Sequence, residues 1–272
     1  MSLIQRNKTS SVRQPAVAGM FYPGEPNELR AQIKQYLDAV PMDQTDAEVP
    51  KAIVAPHAGY IYSGPVAAMV YARLAPAKAR IKRVILLGPS HRVPFYGCAV
   101  SSAQYFHTPL GDIPLDKTLI DALLEKQLVT PLDEAHALEH SLEVHLPFLQ
   151  VVLDEFTLVP VVVGDASVEA VSALLEAAWG GPETLIVISS DLSHYHDYNT
   201  ARQIDLATCK LIENLDYESL SSNQACGFIP VRGLLYLSKQ RHLHARTIDY
   251  RNSGDTAGPR DQVVGYGAYA FN

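Results

Sequence analysis

Three apolar runs without polar alternation punctuate the chain, and each ends on a small polar turn that carries a histidine. They read Ala-Ile-Val-Ala-Pro-His57-Ala-Gly-Tyr60, Val-Ile-Leu-Leu-Gly-Pro-Ser90-His91 and Leu-Ile-Val-Ile-Ser-Ser-Asp191-Leu-Ser-His194. Short runs of β-branched and aliphatic residues suit strands buried on both faces of a largely parallel sheet. Ligands of such sheets bind just beyond the carboxyl ends of the strands. Three histidines delivered there by three strands predict one polar constellation at one sheet edge.

Between these runs the apolar positions shift to helical spacing. Leu29, Ile33, Tyr36 and Leu37 predict a helix over 26–40, stopped by Pro41. Further helices are expected at 63–75, 116–126, 167–179, 199–214, 217–222 and from Pro230 to about Lys239. The stretch 133–153 reads as helical and broken or kinked at Pro147. Strands are expected at 51–55, 83–87, 96–103, 157–163, 184–189 and 263–271, with a polar surface loop at 41–50 and a turn at 106–112. Alternating strands and helices predict an α/β domain with a central, mostly parallel (mixed) sheet flanked by helices. Residues 15–272 read as that single domain, preceded by a flexible segment 1–14.

Composition narrows the class of protein. The 272 residues are 47% hydrophobic and 19% charged, enough for a sizeable core. A formal charge of −7 without Lys/Arg clusters argues against nucleic acid as a partner. No apolar stretch reaches membrane-span length, and the first residues lack the apolar core of a secretory signal. Three widely spaced cysteines make no disulfide framework, so a reduced, cytoplasmic protein is expected.

The candidate chemistry sits on the turns. His57 and His91 have small neighbours that let a metal or ligand approach, and each reads equally as a loop histidine bonded to backbone. Asp191 and His194, three apart, suit a carboxylate that fixes an imidazole tautomer, or a plain helix cap beside a surface histidine. His136-x-x-Glu139-His140 formally matches the inverted zinc-peptidase pattern, which needs one continuous helix through both histidines. The competing reading is a polar face of Glu139, His140 and Glu143 supporting a site elsewhere. Cys226, just before a predicted helix, suits a thiolate of lowered pKa, a soft metal ligand or a buried inert thiol; Cys98 and Cys209 fit the inert role. A Cys226–His dyad and a centre of His57, His91 and Cys226 are equally consistent with the residue types.

Taken in order, the motifs resemble the Memo family, whose bacterial and archaeal members are called AmmeMemoRadiSam system protein B. The resemblance is carried by Ala-Val-Ala-Gly-Met-Phe-Tyr-Pro23, Ala-Pro-His57-Ala-Gly-Tyr, Leu-Gly-Pro-Ser-His91, Thr-Pro-Leu-Gly-Asp112, Glu139-His140-Ser-Leu-Glu143, Ser-Ser-Asp191-Leu-Ser-His194, Cys226-Gly227 and Asn252-Ser-Gly-Asp255. It implies a fold like the class III extradiol dioxygenases, non-haem iron enzymes. It also implies a metal set of His57, His91 and Cys226, with Asp191 and His194 beside it as the proton-handling pair. His140, Glu139, Glu143, Tyr60 and Ser90 would line or support the cleft. Cys226 would stand where those dioxygenases use a carboxylate, a softer ligand that brings copper level with iron, zinc ranking after them. No nucleotide cofactor is implied.

Two functions follow as expectations. One is a metal-dependent redox protein acting on an unidentified small molecule. The other is a binding or scaffold protein that uses the cleft for a peptide or small anion, since eukaryotic relatives are associated with phosphotyrosine peptides. A zinc- or cysteine-dependent hydrolase stands third. Prokaryotic relatives are named together with a radical S-adenosylmethionine protein and an AMMECR1-like protein, which implies a shared pathway.

Overall fold

The computed structural model describes residues 11–41 and 48–272. Most of the expected loop 41–50, and most of the expected N-terminal segment 1–14, lie outside these residues. Val12–Arg13, within that segment, form a short strand β1, so ordered structure begins before residue 15.

Helix α1 (Pro26–Asp38) starts on a proline, where a missing N–H is harmless, and buries Leu29 and Ile33. Strand β2 (Ala52–Ala55) is buried throughout and leads into α2 (Tyr60–Tyr71), which tightens into a 3-10 turn at Ala72–Ala77. β3 (Arg83–Pro89), β4 (Cys98–Val100) and a hairpin of β5 (Tyr105–Thr108) and β6 (Gly111–Pro114) follow. The hairpin occupies what the sequence suggested was only a turn. α3 (Lys117–Glu125) is capped by Asp116, whose carboxylate accepts the Leu119 N–H, a contribution of about 1 kcal/mol.

After β7 (Thr130–Pro131), the stretch expected as one kinked helix divides into three pieces. These are α4 (Asp133–Ala137), a 3-10 turn at Glu143–His145 and α5 (Leu146–Val152). Pro147 falls in the first turn of α5, where proline is tolerated, so it begins a helix instead of bending one. β8 (Thr157–Val163), α6 (Val168–Ala177), β9 (Thr184–Ser189), β10 (His194–His196), α7 (Tyr198–Glu213) and α8 (Phe228–Gln240) come next. Residues 217–222 form turns and no helix. β11 (Ala245–Asn252) and β12 (Val263–Phe271) close the chain. β11 escaped the sequence reading because Ala-Arg-Thr-Ile-Asp-Tyr-Arg-Asn carries charges where a buried run was sought.

The nine-stranded sheet runs β10-β12-β2-β9-β3-β8-β4-β7, with β11 also paired to β12. Its centre, β2-β9-β3-β8, is parallel, and its flanks add antiparallel pairings. The fold is therefore the expected mixed α/β domain. β1, β5 and β6 make a separate three-stranded sheet. Helices α1, α2 and α5 pack together, as do α6 and α8, and the central strands between them are buried along nearly their whole length. Each fully buried Val, Leu or Ile there stabilises the fold by about 1.5–3 kcal/mol.

Candidate metal centre

Strand register sets the site. Ala55 pairs with Ser189, and Leu87 with Ile188, in parallel, so three chains leave the sheet side by side in the same direction. His57 lies two residues past Ala55, Asp191 two past Ser189 and His91 two past Pro89. The fourth contribution comes from the start of α8. There Gly227 lies so close to β9 that a Cβ would collide with the Ser189 carbonyl and the Ser190 side chain. The Gly227 N–H donates to Ser190 Oγ (3.0 Å), and the Cys226 N–H donates to the Asp191 carbonyl (3.3 Å).

His57, His91 and Cys226 each present one ligand atom within 4.8 Å of the others. The His57 and His91 rings stand edge to face at 5.1 Å, and His140 stacks on His91 at 4.7 Å. Cys226 Sγ is 3.4 Å from His57 Nε2. The sequence left this grouping open among several; the fold brings these side chains together.

Hydrogen bonds fix the tautomers. Ser189 Oγ donates to the Ser141 carbonyl at 2.6 Å, and a carbonyl can only accept. The single hydroxyl proton is thereby used, so Ser189 Oγ accepts from His57 Nδ1 at 2.6 Å. His57 then carries its proton on Nδ1 and turns the Nε2 lone pair toward Cys226. Burial holds its pKa well below the usual histidine value, with neighbouring imidazoles adding to the effect.

His91 is held in the same sense. Its Nδ1 donates to Glu139 Oε1 (2.9 Å) and its backbone N–H to Glu139 Oε2 (2.6 Å). The His140 and Ser141 backbone N–H groups also donate to Oε1, each at 2.9 Å. These bonds overcome the opposing effect of burial and hold the Glu139 carboxyl down at about 2. With four N–H donors on it, this carboxylate orients His91 and has little capacity left for an ion of its own. Glu139, His91 and His140 do lie close enough for a second ligand set, but their contacts are those of a hydrogen-bonded support.

Asp191 and His194 do not make the carboxylate–imidazole pair expected of them. Asp191 Oδ1 accepts the His57 backbone N–H at 2.7 Å, while Oδ2 stands 3.9 Å from His57 Nε2. Burial pushes the Asp191 carboxyl up to about 7. His194 Nδ1 donates to the Leu192 carbonyl at 2.8 Å, leaving its Nε2 lone pair free.

Cys226 is likewise not the activated thiolate that a helix start suggested. Burial and the nearby Asp191 carboxylate push its thiol up to about 12. It is therefore not a preformed thiolate, and any nucleophilic role would need His57 Nε2, 3.4 Å away, to take its proton.

The supporting residues divide by role. Glu143 is buried, and its hydrogen bonds go to the N-terminal segment. It forms an ion pair with Arg13 and accepts from the Ala16 and Val17 backbone N–H groups and from Tyr22 Oη. Tyr60 is a core residue whose hydroxyl donates to the Val144 carbonyl (2.8 Å), and Ser90 Oγ closes the His91 turn on Val93 (2.6 Å). The inverted-peptidase pattern fails because α4 ends at Ala137, breaking the helix it requires. His136 is buried with Nε2 against the Ala99 carbonyl at 3.1 Å. The sequence reading missed Ser189 and Ser141. Their one visible signal was position: a serine closing a buried strand, and a serine directly after Glu139-His140.

A sequence model of the Memo family, described as Memo-like protein, matches residues 13–270. A MEMO1 family protein of Methanosarcina barkeri is 38% identical, covering 94% of this chain and 98% of its own. Others from Saccharolobus islandicus (36%; 95% of this chain, 99% of its own) and Archaeoglobus fulgidus (35%; 96% and 99%) are similar along the same length. In fold, the chain resembles the crystal structure of an uncharacterised Escherichia coli K12 protein. That likeness has a TM-score of 0.51 at 15% identity and covers 80% of this chain and 99% of that one. No helix among the described residues is long and apolar enough to cross a membrane. By the span of the family match and the identity to its relatives, the chain belongs to the Memo-like protein family.

Proposed function

We propose that this protein is a metal-binding redox protein in which His57, His91 and Cys226 hold one divalent ion, iron or copper before zinc. The observation that supports this most is the convergence of two committed Nε2 lone pairs and one thiol sulfur within 4.8 Å. Neutral imidazoles are good ligands for iron and copper, and the sulfur favours the softer of the two. The hydroxyl and carboxylate behind the rings are the supports that metal-bound histidines use. When bound, such an ion supplies Lewis-acid and one-electron chemistry.

The chain's own groups would supply the rest. His194, with Nε2 free, accepts a proton from a substrate hydroxyl or amine in the cleft. Asp191 fixes the His57 backbone and, with its carboxyl near 7, is a second group able to gain or lose a proton near neutrality. A small anion would have to draw on the bound ion or on Arg92, because burial disfavours the charged form of His57, His140 and His194. From the family resemblance we also propose that this protein shares a pathway with a radical S-adenosylmethionine protein and an AMMECR1-like protein.

The test is metal analysis of protein purified anaerobically, followed by thermal melts with Fe(II), Cu and Zn. Bound metal, or a rise in melting temperature that His57→Ala, His91→Ala and Cys226→Ser each abolish, supports the reading. An absence of bound metal together with unchanged melting temperatures overturns it.

A further inference from the structure

The peptide that holds His194 is itself held from its far side by a buried carboxylate. His194 Nδ1 donates to the Leu192 carbonyl, and that carbonyl shares one peptide group with the Ser193 N–H. In a planar trans peptide these two bonds point in opposite directions, so their dipoles add, and they turn together. On the far side, the Ser193 N–H donates to Asp205 Oδ1 at 3.0 Å. Asp205, on α7, is fully buried, and Tyr250 Oη donates to its other oxygen at 3.3 Å.

Gly265 on β12 brackets the same peptide. The Leu192 N–H donates to the Gly265 carbonyl and the Gly265 N–H to the Ser193 carbonyl, both at 2.8 Å. A Cβ at Gly265 would run into the Asp205 carboxylate, so only glycine lets the acid lie flat on the strand. The contacts form one line: Asp205 carboxylate, Ser193 N–H, Leu192 C=O, His194 Nδ1–H. Hydrogen bonds in series polarise one another, so a carboxylate at one end makes the carbonyl at the other a stronger acceptor.

We propose that Asp205 is a positioning residue for His194, acting through the Leu192–Ser193 peptide to hold that imidazole as its Nδ1–H tautomer with Nε2 open to the cleft. The inference rests on the reading of His194 as the proton acceptor of the site. It can be checked without metal. In the full-length protein, 15N spectra of labelled histidine report which ring nitrogen of His194 carries the proton. Asp205→Ala should replace the single Nδ1–H tautomer with a mixture, Gly265→Ala should do the same by displacing the carboxylate, and Asp205→Asn should restore one tautomer because its amide oxygen still accepts from Ser193. If Asp205→Ala fails to fold, Gly265→Ala carries the test with the acid in place. A His194 that stays wholly Nδ1–H in either alanine variant overturns the proposal. These spectra need no metal, so their failure is separable from a failure of the metal titrations.

Discussion

His57 Nδ1 and Ser189 Oγ lie 2.6 Å apart, and the serine's only proton is spent on the Ser141 carbonyl. One hydroxyl thereby decides which nitrogen of His57 faces the cleft. In Ser189→Ala the Nδ1–H and the Ser141 carbonyl both lose their partner while buried. Leaving such groups unsatisfied destabilises a fold by about 1–3 kcal/mol. Metal affinity should fall about 10- to 100-fold, the usual loss when the support behind a metal-bound histidine is removed. Titration calorimetry with the metal identified by analysis, beside urea melts, reads both; an unaltered affinity would show that Ser189 leaves the ligand tautomer untouched.

Glu139 offers a sharper contrast. Its two oxygens accept four N–H groups, two from His91 and one each from His140 and Ser141. Gln in its place turns one acceptor into a donor that faces an N–H. Glu139→Gln should weaken metal binding by about 10- to 100-fold and leave the cleft intact, as the unchanged crystal geometry of the His57–Ser189 contact would show. Should Glu139 itself hold metal, Glu139→Gln would abolish binding outright, and the supporting role assigned to it would fall.

Much of this was legible in the chain. The runs before His57, His91 and Asp191 announced parallel strands because strands buried on both faces admit no polar alternation, and β2, β3 and β9 are those strands. Their turns had to share a sheet edge. What the pattern could not give is which polar atom meets which. Asp191 and His194 are three apart in sequence, yet each found a backbone partner, because Leu192 and Ser193 are tied to Gly265 and turn the two side chains different ways. Cys226 carried a helix-start signal, but burial outweighs a helix terminus in setting its proton affinity. The Glu139 region misled for a related reason: the helical spacing from Asp133 onward was real, but Glu139 bends the backbone around its own carboxylate and ends the helix.

The ion pair of Arg13 and Glu143 makes a prediction about folding, not chemistry. Both side chains are almost wholly buried, and Arg13 Nε and Nη2 also donate to the His136 and Glu139 carbonyls, at 3.1 and 2.7 Å. Removing one partner strands a charge in the interior, which destabilises by about 3–5 kcal/mol. Arg13→Ala and Glu143→Ala should each lower the unfolding free energy read from urea melts by that amount, and the double variant Arg13→Met with Glu143→Leu should recover part of it. Metal affinity in any variant that stays folded should change little, because Glu143 bonds to Arg13, Ala16, Val17 and Tyr22 and to none of His57, His91 and Cys226. A double variant no more stable than the single ones would mean that the five other bonds to these two residues outweigh the charge pairing.

Acid should unfold this protein earlier than its carboxylates alone would require. Burial holds His145 at about 3 and His136 and His140 at about 4, against 6.5 for an unperturbed histidine. The unfolded chain therefore takes up these protons near pH 6.5, and the folded chain only below about pH 4. The stability of the neutral, buried rings is full above pH 6.5 and is lost as pH falls toward 4, at about 1.4 kcal/mol per pH unit for each ring. Asp191 acts oppositely: at about 7 folded against 3.8, it stabilises most at low pH and that contribution fades as pH rises from 3.8 through 7. It opposes the three histidines, as the raised Asp205 and Asp249 do, while His57 and His194, also held below the usual histidine value, act with them. The histidines outnumber the raised carboxyls, so the unfolding free energy should drop as pH falls from 6 to 5. Glu139, held at about 2, enters only below pH 4.5. Replacing His145, whose Nδ1 meets Tyr71 Oη at 2.8 Å, by Gln should remove about 1.4 kcal/mol per pH unit from that slope. Urea melts of both proteins at pH 5, 6 and 7 measure it directly; parallel slopes would show that His145 takes up its proton equally in the folded and unfolded chains.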